Sequence, residues 1–160
     1  MTMDKLWAPW RRKFIYHKKN RDCIFCAKPR SRQDAKNLIL ERGKTVYSLL
    51  NLYPYNNGHL MVAPYRHIAG LEELSDEETL ELFGLVKRSL RTLTKALKPR
   101  GYNVGLNLGR IAGAGYDKHV HIHIVPRWQG DTNFMPVLAE TKVISESLAE
   151  LRKRFLACKA

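Results

Sequence analysis

The stretch His119-Val120-His121-Ile122-His123-Ile124-Val125-Pro126 alternates imidazole and hydrocarbon at each step. Extended backbone turns successive side chains to opposite faces. Three imidazoles therefore share one face, and Val120, Ile122 and Ile124 share the other. The apolar set can bury itself in a core while the rings look into a site. On a helix the same spacing would scatter the rings around the axis. A single histidine in a strand is ordinary structure. Three of the chain's six histidines on one face call for a chemical reason.

Working outward, the segment before this strand is Gly109-Arg110-Ile111-Ala112-Gly113-Ala114-Gly115. A glycine-rich turn between two extended runs lets backbone N–H groups approach an anion. Before that turn, Tyr102–Leu108 reads as a strand. Upstream again, residues 76–98 form the clearest helix. Ser75 and Glu78 make a capping box, and the acidic first turn suits the helix dipole. Phe83, Val86, Leu90, Leu93 and Leu97 recur at intervals of three and four and predict one buried stripe. Pro99 and Gly101 end the helix. His59–Ala63 is a short apolar strand stopped by Pro64, with His67 just beyond it. Residues 37–41 and 45–50 read as two strands around Arg42-Gly43-Lys44, and residues 52–58 as a Pro/Asn/Gly loop. A last helix is expected over residues 146–157, with Leu148, Leu151 and Phe155 on one side. Strands in the middle, one long inserted helix and one terminal helix predict an α+β domain with an antiparallel sheet.

Cys23-Ile24-Phe25-Cys26 lets two thiolates meet one tetrahedral metal. A redox motif shares that spacing but expects a strand-to-helix setting. The Lys/Pro/Arg-rich segment that follows favours a metal knuckle or a plain structural turn. Cys158 reads as a spare thiol.

At 160 residues one domain is expected, long enough for a core. It divides into an aromatic, basic arm over 1–20, a core over 21–128, and a tail with a helix over 129–160. No apolar run is long enough to span a bilayer. The first residues lack the apolar core of a secretion signal. Three cysteines argue against a disulfide framework. A cytoplasmic protein without membrane contact is the expectation. Lysine and arginine number 28 against 15 acidic residues, a net +13 that draws anions inward. The anion could be nucleic acid or a nucleotide polyphosphate, and charge alone does not choose.

These motifs together resemble the histidine-triad family. The pattern His119-Val-His-Ile-His-Ile-Val carries the signature. Asn51…Gly58-His59-Leu-Met-Val, Pro64-Tyr-Arg-His67 and the Cys-x-x-C match the upstream landmarks in order, so the resemblance spans roughly residues 23–128. Asn51-Leu-Tyr-Pro-Tyr-Asn-Asn-Gly-His, Asn103-Val-Gly-Leu-Asn-Leu-Gly and Pro126-Arg-Trp…Gly-Asp-Thr-Asn-Phe look most like bacterial diadenosine tetraphosphate phosphorylases, near the fragile-histidine-triad branch. The resemblance implies a homodimer that cleaves a dinucleoside polyphosphate at the α-phosphate through a nucleotidyl-histidine. His121 is then the nucleophile. His123 serves phosphate oxygens or the leaving group. His119 supports His121 or binds metal. For the nucleotide it implies Asn51 at the ribose, Asn107 at a phosphate, and backbone donors from Gly113, Ala114 and Gly115. Arg110 and Lys118 would supply charge. Trp128 would stack on a base or pack at a dimer contact, and His59 would orient the catalytic strand. Cys23, Cys26, His67 and His119 would form a structural Cys₂His₂ zinc site; no organic cofactor is implied. The glycine-rich, basic loop and the likeness of the carboxyl-terminal motif lean the reaction toward phosphorolysis with inorganic phosphate. The loop before the triad lacks the Gln of the fragile branch, which counts against hydrolase-type specificity. Hydrolysis is the near alternative. A basic nucleic-acid module held by a zinc knuckle would explain the charge but would leave the histidine face idle, and a binding-only nucleotide module would turn nothing over.

Overall fold

The computed structural model describes residues 23–132 and 144–158. The expectations for the arm over residues 1–20 and for Phe134 lie outside those residues. The elements are α1 (Ile24–Arg30), α2 (Asp34–Asn37), β1 (Ile39–Arg42), β2 (Val46–Leu50), β3 (Leu60–Pro64), α3 (Asp76–Leu97), β4 (Gly101–Gly105), β5 (Ile122–Arg127) and α4 (Leu148–Cys158). The strands form one sheet in the order β1-β2-β3-β5-β4, and every neighbouring pair is antiparallel. The α+β expectation holds. None of the described helices is long and apolar enough to cross a membrane.

The period-2 alternation sorts the sheet into two faces. Val46, Leu50, Leu60, Val62, Ile122 and Ile124 pack against Leu82, Leu85, Val86 and Leu93 of α3 and Leu151 and Phe155 of α4. Each such side chain, fully buried, contributes about 1.5–3 kcal/mol. Tyr47, Leu49, Met61 and Ala63 point the other way and pack with Phe25 and Ile39. The histidines belong to this second face. Met61 on β3 stands opposite His123 on β5, while Leu60 and Val62 stand opposite Ile124 and Ile122.

The long helix begins as expected and differs in its buried stripe. Ser75 Oγ accepts from Glu78 N–H at 3.2 Å, and Glu78 Oε2 accepts from Ser75 N–H at 2.9 Å. Arg66 grips the same carboxylate at 3.0 and 2.8 Å and, with those backbone bonds, holds Glu78 down to about 2. The buried residues of α3 are Glu78, Leu82, Leu85, Val86, Ser89 and Leu93. Of the expected stripe Val86 and Leu93 are buried, Leu90 and Leu97 pack against the core, and only Phe83, 49% exposed, does not. Leucines occur on more than one side of this helix, and Leu82 and Leu85 take the buried place expected of Phe83.

Two further expectations shift. The Cys-x-x-C segment is helical: Cys23 precedes the first turn of α1, and Pro29 sits inside its last turn. Regular pairing in the histidine segment starts only at Ile122. His119 to His121 approach β5 as an irregular lead-in, anchored where Val120 N–H donates to Ile68 O at 2.8 Å. The alternation persists through it, with Val120, Ile122 and Ile124 all buried.

Candidate active site and metal centre

His121 is buried, and its ring is fixed from two sides. Its Nδ1 lies 2.8 Å from His119 O. A carbonyl only accepts, so Nδ1 carries the proton and the lone pair sits on Nε2. Phe25 stacks on the imidazole with centroids 4.4 Å apart and planes 28° from parallel. Burial pushes the His121 pKa down, against the carbonyl bond, and so favours the neutral ring.

His123 is oriented by a relay. His59, 1% exposed, accepts at Nδ1 from Tyr55 N–H at 3.1 Å, with the Asn51 amide 3.3 Å away. Its proton is therefore on Nε2, which lies 2.9 Å from His123 Nδ1. His123 accepts at Nδ1, and its own proton is placed on Nε2. Burial, then the neighbouring His123 and His121, push His59 down to about 3, so His59 is neutral. Gly58 sets His59 at the start of β3. It has φ +77°, and a Cβ there would stand 2.6 Å from Leu97 Cδ1. His121 and His123 meet edge to face at 4.7 Å.

His119 faces elsewhere. Its Nε2–H donates to Pro64 O at 3.0 Å, which leaves the Nδ1 lone pair toward the thiols. Burial pushes its pKa down to about 4. His119 Nδ1 lies 3.4 Å from Cys23 Sγ, 3.6 Å from Cys26 Sγ and 3.3 Å from His67 Nδ1, and His67 Nδ1 lies 3.4 Å from Cys26 Sγ. All four atoms lie within 4.8 Å of one another. Zinc bonds of about 2.3 Å to sulfur and about 2.0–2.1 Å to nitrogen put tetrahedral edges at about 3.3 Å between nitrogens and about 3.5 Å between nitrogen and sulfur. The measured contacts match those edges. Burial, then Cys23, raises the Cys26 thiol, and a bound cation would offset this and favour its thiolate. The donor set fits zinc. It is closed by four protein ligands, which is the arrangement of a structural site.

The structure thus brings Cys23, Cys26, His67 and His119 together, and His121 with His123. Asn51 lies beside the relay, and its Oδ1 accepts from Tyr53 N–H at 2.9 Å. In the glycine loop, Gly113 N–H and Ala114 N–H close on Arg110 O and Gly109 O, so two of the expected phosphate donors are spent within the turn. Asn107 and Gly115 lie on the segment between β4 and the triad. Trp128 follows the last residue of β5, about 16 Å of extended chain beyond His123. Its backbone N–H is held by Asp131.

Two residues at the site escaped the sequence. Phe25 touches both His119 and His121, and the Tyr55 ring lies 4.6 Å from His59 and 5.8 Å from His123. The position of Phe25 inside the Cys-x-x-C was the one available signal, because a knuckle folded onto the triad must carry its middle residues with it.

A HIT domain family model matches residues 31–130, and the chain belongs to the HIT domain family. Over 159 residues it is 41% identical to a protein of Mycobacterium tuberculosis named AP-4-A phosphorylase, covering 94% of this chain and 82% of that one. It is also 39% identical over 105 residues to an adenosine 5'-monophosphoramidase of Schizosaccharomyces pombe, covering 66% and 74% of the two chains. Among solved structures, a hypothetical histidine triad nucleotide-binding protein from Sulfolobus tokodaii superposes with TM-score 0.70 at 25% identity, covering 85% and 91%. A zinc-bound histidine triad family protein from Mycobacterium smegmatis gives 0.69 at 23%, covering 86% and 92%, a likeness of fold.

Proposed function

We propose that this chain is a nucleotidyl-transferring enzyme that cleaves dinucleoside polyphosphates, diadenosine tetraphosphate among them, at the α-phosphate. The observation that carries the reading is the His121 Nδ1 to His119 O contact at 2.8 Å, which directs the Nε2 lone pair outward as a nucleophile. The 41% identity to a protein named AP-4-A phosphorylase supports the substrate class.

In the first step His121 Nε2 attacks the α-phosphorus. A P–N bond forms and the bridging P–O bond breaks, its electron pair leaving with ATP. The charge gained by the imidazole is met by the Nδ1–H bond to His119 O. His123, with its N–H on Nε2 through the His59 relay, hydrogen-bonds the leaving oxygen and keeps its proton, and ATP leaves as the anion. In the second step an oxygen of inorganic phosphate attacks the adenylyl phosphorus. The P–N bond breaks, its pair returns to Nε2, and ADP leaves. Asn107 and Gly115 would bond the phosphate oxygens, and Asn51 would turn its amide to the ribose. Zinc on Cys23, Cys26, His67 and His119 would fasten α1 to the lead-in of β5 and take no part in bond making. The working unit is a cytoplasmic homodimer.

Hydrolysis shares the first step, and a P–N substrate such as an adenosine phosphoramidate is the second reading, favoured by the likeness to the S. pombe phosphoramidase. Incubation with diadenosine tetraphosphate, with and without inorganic phosphate, separates these. ATP plus ADP formed only with phosphate is the expected result. ATP plus AMP without phosphate would mean hydrolysis. Turnover of adenosine phosphoramidate alone would support the second reading, and no turnover of any of them would refute the proposal.

A further inference from the structure

We infer that Phe25 is a positioning residue through which the Cys23/Cys26 knuckle holds the nucleophile. The inference rests on the nucleotidyl-transfer reading of His121. Phe25 lies between the two cysteines, and its ring spans two imidazoles with different tasks. It stacks on His121 at 4.4 Å and 28°, and it lies against the metal-site ring of His119 at 5.2 Å and 30°.

The Nδ1–H bond to His119 O fixes one edge of the His121 ring. A single hydrogen bond does not hold the ring in one plane, and a tilt out of that plane both weakens the bond and moves Nε2. The flat face of Phe25 takes away that freedom. Phe25 is itself immobilised: it is 1% exposed, its carbonyl accepts from Tyr47 OH at 2.7 Å, and Cys26 and Ala27 N–H donate to Cys23 O at 3.0 and 2.9 Å. It also packs with Ile39, Tyr47, Leu49 and Met61 and meets Tyr116 edge to face at 5.9 Å, and the two cysteines that flank it tie it to the metal-site cluster. They converge on His119, whose carbonyl bears the other half of the His121 restraint. The knuckle therefore reaches the nucleophile by two routes, through the Phe25 ring and through the His119 backbone. Displacing a reacting atom by about 1 Å costs on the order of 100-fold in rate. Phe25 therefore acts on kcat, and substrate affinity is left to other residues.

The test compares Phe25→Leu, Phe25→Tyr and Cys26→Ser with wild type, each supplied with zinc. Two-bond proton–nitrogen spectra at one neutral pH read the His121 tautomer, metal analysis reads zinc, and kcat and KM are measured on diadenosine tetraphosphate. Wild type is expected to show the Nδ1–H tautomer. Phe25→Leu should keep zinc, show an averaged His121 signal, and lose about tenfold or more in kcat with KM moved less than about threefold. Phe25→Tyr, which keeps the ring, should restore tautomer and kcat. Cys26→Ser should lose zinc and average the same signal. An unshifted tautomer and kcat in Phe25→Leu would overturn the inference; if that variant does not fold, an unshifted signal in Phe25→Met would do so. A wild-type signal in Cys26→Ser would overturn the link to the knuckle. Wild type with no turnover would refute the nucleotidyl-transfer reading, while the spectra would still decide the role of Phe25.

Discussion

Replacing His59 in two ways separates its two jobs. His59 accepts at Nδ1 from Tyr55 N–H and donates from Nε2 to His123 Nδ1, at 3.1 and 2.9 Å. Asparagine places its oxygen near the former Nδ1 and cannot reach His123. Glutamine places its NH₂ near the former Nε2 and abandons Tyr55. In His59→Asn the His123 proton loses the bias of one hydrogen bond. At a net 0.5–1.5 kcal/mol that is about a 2- to 13-fold loss of correctly protonated His123, and kcat should fall by roughly that factor. This is well short of the roughly 10²–10³-fold expected for removing a transition-state hydrogen-bond donor outright. In His59→Gln kcat should stay near wild type, but the part-buried Tyr55 N–H loses its acceptor. That costs about 1–3 kcal/mol, or about 2–12 °C in Tm for a chain of this size. Steady-state kinetics and thermal melts on both variants check the pair. The opposite pattern, an active His59→Asn and a slow His59→Gln, would refute the relay.

Removing zinc with a strong chelator should lower Tm by about 8–16 °C, taking about 4 kcal/mol for a ligand at a thousand times its Kd and about 2–4 °C per kcal/mol; Tm unchanged by chelation, with metal analysis finding none, would count against the centre. Gly58→Ala sets a Cβ at 2.6 Å from Leu97 Cδ1 in a backbone of φ +77°. A loss of about 1–3 kcal/mol in urea melts is expected, and a neutral effect would argue against the packing beneath His59. Folded His59 is neutral down to about pH 3, whereas the unfolded group titrates near 6.5. Its contribution to stability is therefore full above pH 6.5 and is lost as pH falls toward 3. Glu78, held at about 2, adds a loss only below about 4.5. Urea midpoints should therefore fall between pH 6.5 and 4.5 more steeply in wild type than in His59→Asn, and parallel slopes would exclude His59 as the source.

What the sequence made legible follows from period. Alternation over residues 119–126 told the core face from the site face, because a one-residue slip in a strand exchanges the faces. The capping box placed the start of α3, because its chemistry is local. The stripe of α3 failed only at Phe83, because leucines on several sides give more than one apolar line and tertiary packing buries Leu82 and Leu85 instead. Helix α1 was hidden by Pro29 and its basic neighbours, a composition that reads as loop until tertiary packing buries Phe25. The convergence of Cys23 and Cys26 with His67 and His119 lies across 96 positions of sequence. Spacing alone could suggest only the cysteine pair, and the family resemblance supplied the other two. The division of labour among the three histidines depends on carbonyls and side chains from β3, α1 and the loop before His59, which no local pattern specifies.

The most direct test is chemical trapping. Wild-type enzyme mixed with diadenosine tetraphosphate without inorganic phosphate, quenched rapidly at alkaline pH and digested, should yield the peptide containing His121 with an added adenylyl group on that histidine. Phosphate added before the quench should discharge the group as ADP, and His121→Ala should carry none. An adenylyl group on another residue, or full turnover by His121→Ala, would contradict the assignment of His121 as the nucleophile.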